Sequence, residues 1–369
     1  MRSNTEIFIE ELVYDKSYNA RLQTLFSNIT SNSFFLTYAW FDAWLSSLTT
    51  SPRMLFLKKK EQDIGLVFFD EFSLNKVWPT LTLFDVNKSS CPNENQVWIE
   101  YNCVICEKAD KKQCIDTLLA YVYRDRRFIG LQIQMAESRY NWLGNSHAKM
   151  NFLSEVECVK AYSMQLQPQN DIKAFLQAFS SGVRNEFNRS TKKATHFYGP
   201  LNFEFADKEN LKPFFTHLSE LHKRKWQGTP FGSGFDNDKF VNHHQILIRK
   251  YSSSIRIAKL SAGETVLGYQ YYLIDTNKVY FYCAGLEMEN IHKHVKPGLM
   301  LHIIAMFEFS KLGVREYDFM GGEATYKKRL SNKEYSFYNL RLIKRTPVGI
   351  AIRIATLLKQ KLSAAFLKS

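Results

Sequence analysis

The chain lacks any apolar run of about eighteen residues, so no membrane-spanning helix is expected. Its opening residues, MRSNTEIFIEELVYD, carry early acids and no apolar core, which predicts no secretory leader. Cysteine is sparse, 6 in 369 residues, and points to reduced thiols in a cytoplasmic setting rather than a disulfide framework. Cys103-Val104-Ile105-Cys106 forms a C-x-x-C pair with no second pair at zinc-ligand spacing. Its surroundings, VWIEYNCVICEK, read as a strand, on which residues three apart point to opposite faces. Packing is therefore expected of these thiols rather than redox or metal work. His243-His244 and His292/His294 lack acidic or thiol partners at a telling spacing, so no metal is expected. There is no P-loop and no helix-turn-helix, zinc or RRM signature. Acids are also short: 36 against 49 Lys and Arg, a formal net charge of +13. That surplus favours anionic partners such as nucleic acid, acidic lipid or a polyphosphate cofactor, although solubility alone also accounts for it.

What is present is an ordinary globular composition, with 45% hydrophobic and 23% charged residues. The length suits two domains. Aromatics reach 15%, with 29 Phe and 19 Tyr, which predicts large cores or aromatic-lined clefts. The first fifty residues read as helical, with Trp40, Trp44 and Leu48 on one face. A hairpin follows, Met54–Leu57 and Ile64–Phe69, then a strand at Val97–Tyr101, a helix at 111–123 and a strand at Ile129–Ile133. Further on come a helix at 208–227, a second at 238–251, and the hairpin Ile255–Leu260 with Val266–Leu273. A strand at Val279–Cys283, a helix from Pro297 and a strand at Val314–Met320 complete the series. Both halves thus read helix, helix, hairpin, strand, helix, strand. Both second hairpin strands carry an apolar-Gly-apolar step, Ile64-Gly65-Leu66 and Leu267-Gly268-Tyr269. Two similar α/β domains are expected, 1–165 and 166–345, with the basic stretch 180–193 as a helix lying between them.

The helix from Pro297 has Pro in its first turn and Gly313 past its end. Its interior is apolar nearly all round, so it should be buried. Its N-terminus, with Gly298 allowing close approach and Lys293 and Lys296 nearby, reads either as an anion site or as an ordinary Pro-capped helix. The next strand runs into YDFMGGEATYKKRL. Asp318 lies near its carboxyl end, where ligands collect in α/β sheets, and Gly321 and Gly322 clear the floor beside it. Glu323, Tyr326 and Lys327 follow. A carboxylate can take a proton from an amine, a phenol can protonate a leaving thiolate, and a lysine can hold a phosphate or carbonyl oxygen. A turn-capping Asp beside a solvated basic run fits the same residues. His222, one turn before Trp226, reads as packing or as a base.

These residues carry a resemblance. DFMGGEATYKKRL, preceded by KPGLMLHIIAMFEFSKLG and by ELHKRKW, resembles the acetyltransferase-type domain of the CelD-like branch of the GNAT superfamily, itself similar to the Fem peptidyltransferases. The matching positions are His222, Lys223, Arg224, Trp226, Pro297, Gly298, Asp318, Phe319, Gly321 or Gly322, Tyr326 and Lys327. The N-terminal FFLTYAWFDAW and WIEYN are also similar to that family's first domain. The resemblance implies tandem GNAT-like α/β domains with mixed sheets, moving an acyl group, usually acetyl, from acyl-coenzyme A to an amine. In such relatives the amine is often on an amino sugar or a surface-polysaccharide precursor. It implies catalytic roles for Asp318, Glu323, Tyr326 and Lys327. It implies cofactor binding by Lys293, Lys296, Pro297 and Gly298. It implies substrate binding by His222, Arg224, Trp226, Tyr280, Tyr282, Gly321 and Gly322. The family's phosphate loop is not intact; Lys296-Pro297-Gly298 stands in its place. That keeps two alternatives beside acyl-coenzyme A: an aminoacyl-tRNA donor, as in Fem proteins, or a silent binding module in polysaccharide or envelope assembly.

After Thr346-Pro347 a tail, 346–369, repeats Ile350, Ile354, Leu358, Leu362 and Phe366 every four residues, with Arg353, Lys359, Lys361 and Lys368 adding charge. This reads as a basic amphipathic helix. It would pack on the body or a partner chain, or else lie on an anionic inner-membrane surface.

Overall fold

The structure, a computed structural model, describes residues 6–31, 33–75, 80–144, 146–230 and 232–366. In chain order the elements begin β1 (Ile7–Val13), α1 (Asn19–Ser27), α2 (Tyr38–Ser47), β2 (Arg53–Lys59), β3 (Gln62–Ser73) and β4 (Thr82–Val86). They continue β5 (Ile105–Cys106), α3 (Lys111–Arg124), β6 (Gly130–Ala136), α4 (Arg139–Leu143), α5 (Ser146–Asn151) and β7 (Phe152–Gln165). Next come α6 (Ile172–Leu176), α7 (Ser181–Tyr198), β8 (Leu201–Phe205), α8 (Leu211–Trp226), α9 (Asp238–Lys250) and β9 (Ile255–Ala262). The chain closes with β10 (Thr265–Asp275), β11 (Lys278–Leu286), α10 (Pro297–Lys311), β12 (Glu316–Gly321), α11 (Thr325–Leu330), β13 (Lys333–Lys344) and α12 (Pro347–Phe366).

Two compact units result. Unit 1 comprises the chain up to Phe41, Leu48–Val159 and Ser336 onward; unit 2 comprises Asp42–Ser47 and Lys160–Tyr335. Residues 336–345, read in sequence as the end of the second domain, belong to unit 1.

Within unit 1 the strands run β1-β2-β3-β4-β6-β13, antiparallel except for parallel β4 and β6. Within unit 2 the order is β8-β9-β10-β11-β12-β7, antiparallel except for parallel β11 and β12. The two topologies are the same, so the chain repeats one mixed-sheet α/β unit. In each, two helices separate the first strand from the second, and one helix (α3 or α10) crosses between the parallel pair. The sixth strand of each unit follows the other unit's fifth strand in sequence.

Several elements differ from the expectation. Ile7–Val13 is an edge strand, not helix: it alternates in burial as a half-covered strand does. Val97–Tyr101 is irregular: Trp98 is exposed and Tyr101 adopts a left-handed φ of 55°, outside the extended region. Cys103 is consequently off the strand, whereas Cys106 is on it. Both thiols are buried, and burial pushes Cys103 up to about 12, so neither is a poised nucleophile. The basic helix α7 belongs to unit 2. Val183, Phe187 and Ala194 bury its apolar face in unit 2's own core.

In α12, Thr346 caps the first turn by accepting from Gly349 N–H, and Arg353 pairs with Glu155 at 2.7 Å. The expected stripe does not pack on the body where it is described: Ile350, Ile354 and Leu358 are exposed, beside Val348 and Leu357. Lys368, and the side chains of Lys359, Lys361, Leu362 and Phe366, lie outside the described residues.

Candidate active site

In unit 2 the parallel ladder between β11 and β12 is short. Only Lys278, Val279 and Tyr280 pair, with Glu316, Tyr317 and Asp318. Beyond that register β11 continues to Leu286 and β12 to Gly321 without pairing each other, so the strands part at their carboxyl ends. Tyr282, Cys283 and Ala284, past the fork, are only half-buried. A parted parallel pair leaves strand backbone available to an extended ligand.

The end of β12 is held by a tight turn. Met320 sits at φ 64°, a strained value for a residue with a side chain, and the register with β7 shifts between Asp318 and Met320. The Asp318 carboxylate fixes this shape by accepting the Met320 N–H at 2.8 Å. It also accepts the Tyr335 hydroxyl at 2.6 Å and pairs with the Lys278 ammonium at 2.8 Å. Asp318 is fully enclosed. Unit 1 carries a parallel device: Met135 has φ 55°, and its N–H donates to Asn339 Oδ1 at 2.9 Å.

Tyr326, on α11, stacks on His302 of α10 at 5.2 Å and meets the edge of Phe319 at 6.2 Å. Although 39% of Tyr326 is exposed, its packed surroundings push the phenol up to about 12. It therefore stays protonated at neutral pH. His302 is enclosed, shares a 2.8 Å hydrogen bond with Tyr317 Oη, and is pushed down to about 3 by burial and then by Lys327. Its imidazole is thus a neutral platform for Tyr326. Alternation along β12 places Asp318 on the face opposite Tyr317 and Phe319, so Asp318 and Tyr326 are not brought together. Lys327 Nζ donates to the Gly321 carbonyl at 2.6 Å, tying α11 to the end of β12. Glu323 precedes α11 and is exposed, as is Gly322 with φ 99°.

Of the substrate-side residues, Tyr280 is fully buried under Lys278, whose ammonium lies 5.0 Å from its ring centre. Tyr282 faces an aromatic cluster. It stacks on Phe240 at 6.1 Å, Phe240 meets Phe235 at 5.2 Å, and Phe235 meets His222 at 5.1 Å. His222 also stacks on Trp226 and bonds Ser233 Oγ through Nδ1 at 2.8 Å; burial pushes it down to about 4. His222, Trp226 and Tyr282 thus share one aromatic wall. Arg224 is exposed and reaches Glu287, just past β11, at 3.5 Å.

At the α10 N-terminus Pro297 leaves Gly298 and Leu299 as first-turn donors without intrahelical acceptors. Lys293 and Lys296 are exposed beside it. The Lys296 N–H donates to Ser190 Oγ of α7 at 2.7 Å, and the His292 N–H to Tyr198 Oη at 2.8 Å. Two points of α7 thus pin the loop before α10. A Cβ on Gly298 would lie 3.0 Å from Leu286 Cδ1, which narrows this end of the fork. Sequence reasoning missed Lys278, Tyr335, Ser190, Tyr198 and His302, because each acts across a long separation that no local pattern marks. Among the described residues no cluster of metal-ligating side chains occurs.

In unit 2 a mixed sheet thus parts between its fourth and fifth strands, with the N-terminus of α10 beside the gap. Residues 181–328, from α7 into α11, match the family model "Acetyltransferase (GNAT) domain", so a GNAT-type domain occupies that part of the chain. No curated protein sequence matches the chain. Solved structures share the fold at low identity. FemX aligns with a TM-score of 0.58 and 11% identity, over 93% of this chain and 99% of that one. A conserved protein of unknown function from Bacteroides thetaiotaomicron VPI-5482 gives 0.53 and 9%, over 91% and 100%. L-PGS from Bacillus licheniformis gives 0.50 and 11%, over 92% and 96%.

Proposed function

We propose that the protein transfers an acyl group, in the first instance acetyl, from acyl-coenzyme A to an amine, with an amino sugar of a surface-polysaccharide or envelope precursor as the acceptor class. The observation that carries this reading is the fork between β11 and β12 with the N-terminus of α10 at its edge. Lys293, Lys296 and the Gly298 backbone would hold the donor diphosphate, while the acyl arm lies along β11. Tyr326, kept protonated, would give its proton to the departing thiolate. Lys327 would set the Gly321–Gly322 turn that forms the floor. Asp318 would act as a positioning residue through Met320, Lys278 and Tyr335. The wall of His222, Trp226 and Tyr282, with Arg224 and Glu323 at the rim, would take the acceptor.

The first test is calorimetric titration of coenzyme A and acetyl-coenzyme A, with Lys296→Glu as control. Saturable binding that Lys296→Glu weakens about tenfold or more is expected. No binding at millimolar ligand would sink the acyl-coenzyme A donor. A second reading, an aminoacyl-tRNA donor, is favoured by the single glycine at the donor loop and by the net charge of +13. RNase-sensitive activity would select it.

A further inference from the structure

Beside the α10 N-terminus lies an aromatic platform to which nothing above gives a role. Phe197, in the last turn of α7, is 45% exposed. Its ring stacks on His292 at 4.2 Å and 24°. His196 meets it edge-on at 4.9 Å, and Lys193 lies 5.6 Å from its centre. His294 continues the array, 5.4 Å from His292. Positive charge surrounds it: the pKa of His294 is lowered by local desolvation and then by Lys293, His292, Arg189 and Lys193.

The platform is rigidly placed. Tyr198 Oη accepts the His292 N–H, so one residue of the stack is fixed from the helix that carries the other. Ser190 fixes Lys296, next to the α10 N-terminus, from the same helix. Seven residues separate Ser190 from Phe197, about 10 Å along α7. That offset suits a nucleotide with its phosphates at α10 and its base on the rings. An exposed stacked pair ringed by cations is the surface a planar base recognises, through its π-face and neighbouring phosphates.

We propose that Phe197 and His292 form the base subsite for an adenine nucleotide whose phosphates lie at the α10 N-terminus. This rests on the donor reading above. Coenzyme A and the 3′ end of a tRNA both present an adenine next to phosphate, so the shared chemistry is an adenine nucleotide. The experiment separates the two sources. Coenzyme A, 3′,5′-ADP, 4′-phosphopantetheine (which has no base) and a short single-stranded RNA ending in CCA are titrated into wild type, Phe197→Ala and Phe197→Trp. Thermal melts confirm folding of each variant. Phe197→Ala should weaken coenzyme A and 3′,5′-ADP about tenfold or more, leave 4′-phosphopantetheine unchanged, and be rescued by Phe197→Trp. If the RNA binds instead and loses affinity in the same pattern, the base subsite stands and the coenzyme A donor falls. Coenzyme A binding that Phe197→Ala leaves unaltered overturns the platform while the donor site survives. Failure of every adenine-bearing probe to bind wild type overturns both.

Discussion

Asp85 and Asp318 are both enclosed carboxylates, yet their partners differ. Asp318 accepts from a phenol and a backbone N–H and pairs with Lys278. Asp85 in unit 1 accepts Gln132 Nε2 at 2.9 Å, with Lys88 and Arg341 as nearby cations. Burial pushes its pKa up to about 6, above the 3.8 of an ordinary aspartate. The sign follows from linkage. Below about pH 4 Asp85 holds its proton in both states and costs nothing. As pH rises through 6 the unfolded chain has already released that proton, so stability from this group is lost. Between pH 4 and pH 7 wild type should lose up to about 3 kcal/mol relative to Asp85→Asn, read from urea melts at both values. An equal gap at both pH values would show that Asp85 titrates as an exposed acid. Asp318→Asn should act the other way. It removes one partner of a buried pair and leaves Lys278 with Glu316 at 3.5 Å, a loss of about 3 kcal/mol at neutral pH. Tyr326→Phe should leave the melt unchanged and lower kcat about a hundredfold with little change in KM, if the phenol protonates the thiolate. Full turnover in a folded Tyr326→Phe protein would remove that role.

At the scale of elements, the helices and hairpins of both units were legible because period and caps agree. Leu211, Phe214, Phe215, Leu218 and Leu221 recur at helical spacing and are buried together along α8. The apolar-Gly-apolar steps proved to be one device used twice. Gly65 follows a register shift in β3, and Gly268 follows one in β10. At Gly268 a Cβ would meet the Gly285 carbonyl at 2.8 Å, which excludes any larger residue. The first and last strands of each unit escaped notice. β1 carries two acids, Glu10 and Glu11, and lysine-rich neighbours across the ladder, β8 has only five residues, and β7 and β13 alternate irregularly because each is only partly covered. Local motifs drew attention to candidate residues such as Asp318 and Tyr326, whereas the cross-strand partners of Asp318 were not legible, since residue spacing carries no information about them. The exposed apolar stripe on α12 also gives an element-scale prediction. Deleting 347–369 should abolish sedimentation with anionic vesicles and leave neutral-vesicle binding absent in both proteins. Failure of the intact chain to sediment with anionic vesicles would end the membrane reading of α12.

At the scale of the molecule, chain order governs how the two units form. The fifth strand of unit 1 is β6, and its antiparallel neighbour is β13, more than 190 residues later, in the register Leu342 to Leu131. The fifth strand of unit 2 is β12, and its neighbour is β7, which precedes every other strand of that unit in sequence, in the register Tyr317 to Met164. Leu340 and Leu342 of β13 lie in the unit 1 core, and Tyr162 and Met164 of β7 lie in the unit 2 core. Neither unit can therefore complete its sheet from a contiguous half of the chain. Cutting at residue 166, the boundary that the repeat suggests, leaves the first half without β13 and the second without β7. Each half would expose the open edge of β6 or β12 and a row of uncovered core side chains, a state prone to aggregation. Long-range strand pairing also delays completion until the last segment is made. The expected outcome is one cooperative transition in urea for the full chain, with the same midpoint by fluorescence and by far-ultraviolet circular dichroism. Fragments 1–165 and 166–369 expressed separately should be insoluble, and co-expression should recover soluble complex. A soluble 1–165 with a sigmoidal melt of its own would show that β13 is dispensable to unit 1. The strand exchange would then be an ornament of the topology, not a condition of folding.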